Sequence, residues 1–189
     1  MKKNIVITGG LGYIGTELCK LYSGVSWNNK ITVIDNRFVS ERVNQIRNWN
    51  MEFIQGDILD KELINKYCKE ADVVHHLAGI TDVPRTKSES NNERDNKIKI
   101  VAEEGTQNIL DAISNKCKII FPSTHVVYEG LEEIKNEISE NEETKPILSY
   151  SSSKALNEKQ LKNSGKNYII LRLGSVYGYS TDTARIDIM

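Results

Sequence analysis

Long apolar runs are what this 189-residue sequence most plainly lacks. After the two lysines of MKKNIVITGG, only Ile5, Val6 and Ile7 precede the first threonine and glycines. That stretch is too short for a secretory leader, and nothing later approaches the roughly 20 apolar residues of a membrane span. The expected setting is the cytoplasm. Cysteine is scarce as well: Cys19, Cys68 and Cys117 are odd in number and far apart, unsuited to a disulfide framework or a thiolate metal site. They read as buried reduced thiols. His75 and His76 are adjacent on an expected strand and so point to opposite faces, which does not favour a shared metal. No metal is expected.

An excess of one charge is also missing. Twenty-five basic and 26 acidic residues leave a net charge of −1. The clustered positive surface that holds a phosphate backbone is therefore not in view, and nucleic acid is not an expected partner. The basic residues from Arg85 to Lys99 are interleaved with Glu89, Glu93 and Asp95, as on a solvated helix face. No internal repeat or low-complexity linker appears. The 39% hydrophobic and 27% charged content is ordinary for a soluble chain, and the length suits one domain over residues 1–189.

Short apolar segments alternate with amphipathic ones from the start. Strands are expected at Lys3 to Thr8, Ile31 to Ile34, Met51 to Gln55, Ala71 to Ala78, Lys118 to Phe121 and Tyr168 to Leu173. Between them, Ile14, Leu18, Leu21 and Tyr22 fall at helical spacing. Further helices are expected around Asp60 to Glu70, with Asp60 as N-cap, at Asn92 to Ser114 and at Tyr150 to Asn163. Residues 129 to 145, with seven glutamates and two lysines, read as a solvated loop. Strands alternating with helices imply a doubly wound α/β fold, a parallel sheet covered on both faces. Ligands in such sheets bind beyond the carboxyl ends of the strands, where the strand order reverses.

The first strand runs into Gly9-Gly10-Leu11-Gly12-Tyr13-Ile14-Gly15, so Gly10, Gly12 and Gly15 satisfy G-x-G-x-x-G. Glycines let backbone approach a pyrophosphate closely, and the helix opening near Tyr13 offers N–H groups and its positive dipole end. Asp35 follows 20 residues after Gly15, at the end of the second strand. A carboxylate there accepts hydrogen bonds from an adenosine ribose diol and repels a 2′-phosphate, which favours NAD; Arg37 nearby keeps NADP in play. Asp57 reads either as a contact to the adenine amine or as a turn aspartate. Ala78-Gly79 lets backbone lie against a cofactor, or simply makes a turn.

Tyr150 and Lys154 stand four residues apart on an expected helix, hence on one face. A free phenol titrates near pH 10; a neighbouring ammonium stabilises the phenolate and makes a usable general base for a hydroxyl. Thr124, 26 positions upstream at a strand end, can hold the reacting hydroxyl.

Taken together, TGGLGYIG, Asp35, GDI, HLAG, FPSTHVVYE, the Tyr150/Lys154 pair and LRLGSVYG at 171–178 resemble the extended short-chain dehydrogenase/reductase family, the NAD-dependent sugar-nucleotide epimerases and dehydratases. The pieces span essentially the whole chain in the family's order. The resemblance implies a Rossmann fold, a nucleotide-sugar substrate, a homodimer, and a Thr124–Tyr150–Lys154 triad that oxidises a sugar hydroxyl to a transient keto-sugar. The cofactor contacts it implies are Gly9, Gly12, Tyr13, Ile14 and Gly15; Asp35 and Asn36; Asp57 and Ile58; Leu77, Ala78 and Gly79; and Tyr150 and Lys154. Arg85, Thr124 and Ser175 fall on the substrate side.

Three departures stand out. Where dehydratases of the family place Asp-Glu after the catalytic threonine, this chain has His125 and Val126, so dehydration is not expected. Ser175 replaces a usual asparagine. Family members run well past 300 residues, so the C-terminal substrate-binding region is expected to be absent here. A 4-epimerase leads, with a keto-sugar reductase and a non-catalytic dinucleotide-binding sensor as alternatives.

Overall fold

The computed structural model describes residues 2–81, 91–133 and 137–178. Among these residues six strands alternate with five α-helices. In chain order they are β1 (Asn4–Thr8), α1 (Tyr13–Ser23), β2 (Lys30–Asp35), α2 (Ser40–Asn48), β3 (Glu52–Gln55), α3 (Lys61–Cys68), β4 (Val73–His76), α4 (Asn92–Ala112), β5 (Lys118–Thr124), α5 (Ser149–Asn163) and β6 (Asn167–Leu173). All strand pairs are parallel, in the order β3-β2-β1-β4-β5-β6. The order reverses between β1 and β4, so the crevice for a ligand lies above their carboxyl ends.

The two-residue period of each strand sorts the core into two layers. Ile5 and Ile7 of β1, with Ile31 and Val33 of β2, pack on Leu11, Cys19, Val43 and Ile46 beneath α1 and α2. Val6, Ile34, Val74, Ile119 and Phe121 face the opposite way, onto Ile64, Ile109, Leu110 and Leu161 of α3, α4 and α5. Each such side chain contributes about 1.5–3 kcal/mol on burial, so neither face of the sheet stands without its helices. Asp60 caps α3, its carboxylate accepting from the Leu63 N–H at 3.0 Å. Among the described residues no helix is long and apolar enough to cross a membrane.

α2 has no counterpart in the periodicity of the sequence. Only Val43 and Ile46 face the core hydrophobically, and the third buried residue is Arg42, whose guanidinium donates to the Leu11 carbonyl. The acidic segment is irregular where described, yet it is pinned to the fold. Glu129 accepts at 2.7 Å from both the Ile147 and Leu148 N–H groups at the entry to α5.

Cys19, Cys68 and Cys117 are buried and unpaired. Burial pushes the first two thiols up to about 12 and the third to about 11. His75 and His76 project to opposite faces. His75 Nε2 meets the Tyr22 hydroxyl of α1 at 2.8 Å, whereas His76 lies between Thr8 and Thr106 of α4, each at 3.0 Å.

Burial, and then the charge of Lys154, pull the His76 imidazole down to about 3. An unfolded-state histidine titrates near 6.5, so the unfolded chain binds the extra proton first, and stability falls as pH drops from about 6.5 toward 3. The expected slope is about 1.4 kcal/mol per pH unit in that window. Urea unfolding at about pH 7 and pH 5 checks it: His76→Gln should lose markedly less stability than wild type, and equal losses would contradict the buried neutral imidazole.

Candidate active site

β1 ends in a turn with no room for a Cβ at Gly9, Gly10 or Gly15. Gly9 has φ +70, and a Cβ there would sit 2.6 Å from the Ala78 N atom. A Cβ on Gly15 would lie 2.3 Å from the Gly9 carbonyl oxygen, so α1 packs directly against the turn. Gly12 differs. It is the N-cap of α1, and an added Cβ would meet only Gly9 O at 3.2 Å and an Arg37 nitrogen at 3.8 Å, with open space otherwise. α1 begins without a side-chain cap and without an acidic residue in its first turn. Its positive end is therefore not neutralised by its own side chains.

Asp35, 5% exposed, holds this turn in place. One carboxylate oxygen accepts from the Leu11 N–H at 2.9 Å; the other accepts from the Arg37 N–H at 3.0 Å and from Arg37 Nε at 3.3 Å. The residue that the sequence assigns to a ribose thus also fixes the loop. Asp57 makes a turn, accepting from the Leu59 N–H at 3.0 Å, and receives Asn36 Nδ2 at 3.2 Å. Ile58 points into the core against Gly105 of α4, and its carbonyl accepts from Asn108 Nδ2 at 3.0 Å. Ile14 and Gly79 are exposed, and the backbone of Leu77 and Ala78 forms the wall behind Gly9. The Tyr13 hydroxyl donates to the Gly178 carbonyl, tying the glycine turn to the segment after β6. Ser175 in that segment is exposed, and Arg85 lies outside the described residues.

Across the crevice, α5 carries Tyr150 and, one turn on, Lys154. Lys154 is buried: Nζ donates to the Pro122 carbonyl at 2.8 Å and lies 4.4 Å from the Phe121 ring centre and 5.9 Å from that of Tyr150. Burial lowers its pKa to about 8. Thr124 ends β5, buried, its hydroxyl oxygen accepting from the Val126 N–H at 3.3 Å as cap of a 3-10 turn, His125–Tyr128. The His125 ring is exposed, Nδ1 3.2 Å from Leu173 O.

A second cluster escaped the sequence reading. Glu158, buried on α5, pairs with Arg172 of β6 at 2.6 and 2.9 Å and accepts from Ser123, beside Thr124, at 2.6 Å. Burial pushes the carboxyl up, but the hydrogen bonds and charge of its partners outweigh that and hold it below the usual range. Arg172 reaches on to the Tyr128 hydroxyl and, at 2.8 Å, to the Glu140 carbonyl. One signal was available: Glu158 follows Lys154 by four residues on the same helical face.

A family model described as NAD dependent epimerase/dehydratase family matches residues 5–188. The chain belongs to that family. Among relatives of this epimerase/dehydratase domain, a dTDP-D-glucose 4,6-dehydratase of Dictyostelium discoideum is 32% identical, aligned over 93% of this chain but 44% of its own length. Among solved structures, the UDP-N-acetylglucosamine 4-epimerase from Methanobrevibacter ruminantium M1 superposes with a TM-score of 0.76 at 32% identity, covering 96% of this chain and 58% of that one. The UDP-glucuronic acid 4-epimerase from Bacillus cereus, in complex with NAD, gives 0.75 at 27% identity, covering 97% and 60%. This chain therefore spans about half the length of such relatives.

The residues present fit the dinucleotide in the family's description: an open face at Gly12, an uncapped helix start and a buried carboxylate at the end of β2. Gly12→Val should weaken NAD binding by more than about tenfold, because the branched side chain occupies the open face. Titration calorimetry checks this; wild-type affinity in the variant would remove the loop assignment.

Proposed function

We propose that this chain carries the NAD-binding and hydroxyl-handling residues of a sugar-nucleotide 4-epimerase, within a single domain. The observation that supports the reading most is the Lys154 ammonium, buried one helical turn from Tyr150 and bonded to the Pro122 carbonyl near the end of β5. Bound NAD would supply a hydride acceptor and, later, a hydride donor. The loop from Gly9 to Gly15 would hold its pyrophosphate, Asp35 its adenosine ribose, and Lys154 the ribose next to the nicotinamide.

The remaining chemistry falls to the chain's own side chains. Thr124 would hold the reacting hydroxyl, and Tyr150 would take its proton. The Lys154 charge, 5.9 Å from the Tyr150 ring centre, favours the phenolate form of a base that works near neutrality. With Lys154 titrating at about 8, the charge is present at neutral pH and fades above it. The helping effect therefore belongs below about pH 8 and is lost on the alkaline side. Val126 has no proton to exchange, which favours epimerisation over loss of water. Arg85 and Ser175 remain the proposed substrate contacts.

Tyr150→Phe should lower turnover of UDP-sugars about 10²–10⁴-fold with NAD affinity little changed. Unchanged turnover would eliminate the base, whereas turnover lost in the full-length enzyme with NAD still bound would support it over a sensor. Stoichiometric consumption of NADH with no stereoisomer formed would favour a reductase.

The same reading places the protein in the cytoplasm as a homodimer paired across α4 and α5, where Ile100 is 45% exposed. Light scattering should give twice the chain mass, and a monomer at all concentrations would remove the dimer. Cell fractionation that recovers the protein with membranes would remove the location.

A further inference from the structure

We infer that His76 is a positioning residue that ties the glycine-turn strand to the helix bearing Tyr150 and Lys154, so that cofactor binding and the setting of Lys154 are coupled. The inference rests on the functional reading above and deepens it.

The connection is a continuous buried chain. Thr8, the last residue of β1 before Gly9, lies directly beside His76 in the sheet register. Its hydroxyl oxygen is 3.0 Å from His76 Nδ1 and also accepts from the Ala78 N–H at 3.3 Å, so this one threonine fixes both the imidazole and the wall behind Gly9. On the other side, His76 Nε2 is 3.0 Å from the Thr106 hydroxyl of α4. Thr106 accepts from Asn157 Nδ2 of α5 at 2.9 Å, and Asn157 also donates to the Ala102 carbonyl at 2.8 Å. Asn157 lies three residues past Lys154, so β1, β4, α4 and α5 are joined in a single line of polar groups.

A second contact reaches Lys154 through Phe121. The His76 ring centre is 5.6 Å from that of Phe121, and the Lys154 ammonium lies 4.4 Å from the same ring centre. Core packing alone does not call for this arrangement. A leucine would fill the space, whereas a buried imidazole is tolerated only when both nitrogens have partners. A neutral imidazole has one proton for two hydroxyls, so one threonine donates and the other accepts, and the chain has a direction. A second proton would place a buried cation beside the Lys154 ammonium, and the imidazole resists it down to about 3.

The test measures NAD affinity of the intact chain across pH for wild type, Thr106→Val, His76→Leu and His76→Gln. Thr106→Val, which exchanges one hydroxyl for a methyl, should weaken NAD about tenfold and move the alkaline pH at which affinity declines. His76→Leu should do the same if it folds, and His76→Gln, a neutral side chain that both donates and accepts, should restore both. Lower melting temperatures with affinity and pH break unchanged in Thr106→Val would overturn the inference, as would failure of glutamine to rescue. A wild-type chain that binds no NAD would instead overturn the functional reading, and this inference with it.

Discussion

A buried cation with no ion-pair partner among the described residues, Lys154, is the most demanding group in this fold. Transferring an ammonium from water into a protein interior costs several kcal/mol even after relaxation. Lys154 offsets that with one carbonyl, Pro122 O, and with the negative faces of Phe121 and Tyr150 rather than with a carboxylate. Among the described residues no acid pairs with it, so the charge remains available to a phenol one turn away. The nearest acid on that helical face, Glu158, is committed to Arg172 and Ser123 and contributes to holding α5 against β5 and β6. The two positions divide the labour. One keeps a charge unquenched, and the other spends its charge on architecture.

This division depends on the sheet order. Because β1 and β4 are neighbours at the reversal, the glycine turn after β1 and the Ala78 backbone after β4 come within contact distance, while β5, paired to β4 over Lys118–Ile120, carries Pro122 and Thr124 past that pairing. The residues of the candidate site come from segments more than a hundred positions apart, and each lies at or beyond a strand's carboxyl end. The Tyr13–Gly178 contact closes the arrangement by linking the start of α1 to the segment after β6.

Much of this was legible in the residues. The short apolar run Ile5, Val6 and Ile7 announced β1, the glycines announced the turn, and Asp60 announced the start of α3, because each is a local rule with a short reach. α2 was not legible: Val43 and Ile46 are too few to mark a stripe, and its remaining buried residue is an arginine whose partner is a carbonyl in the glycine turn. The packing of the Ile58 side chain against Gly105 of α4 had no signal in the sequence. The Glu158–Arg172 pair spans 14 residues and two element types, and the His76 chain spans four elements. Such partnerships follow from packing, and no sequence period encodes them. Asp35 was placed at the right strand end, but its hold on Leu11 became visible only once the turn had a shape.

The three shielded thiols carry a practical consequence. A cysteine reacts as its thiolate, and at neutral pH these side chains are almost wholly protonated and sealed from reagents. Cys19 lies under the α1 layer, while Cys68 and Cys117 lie under the α3–α5 layer. Alkylation kinetics would therefore serve as two built-in clocks, timing separately how often each side of the molecule breathes open.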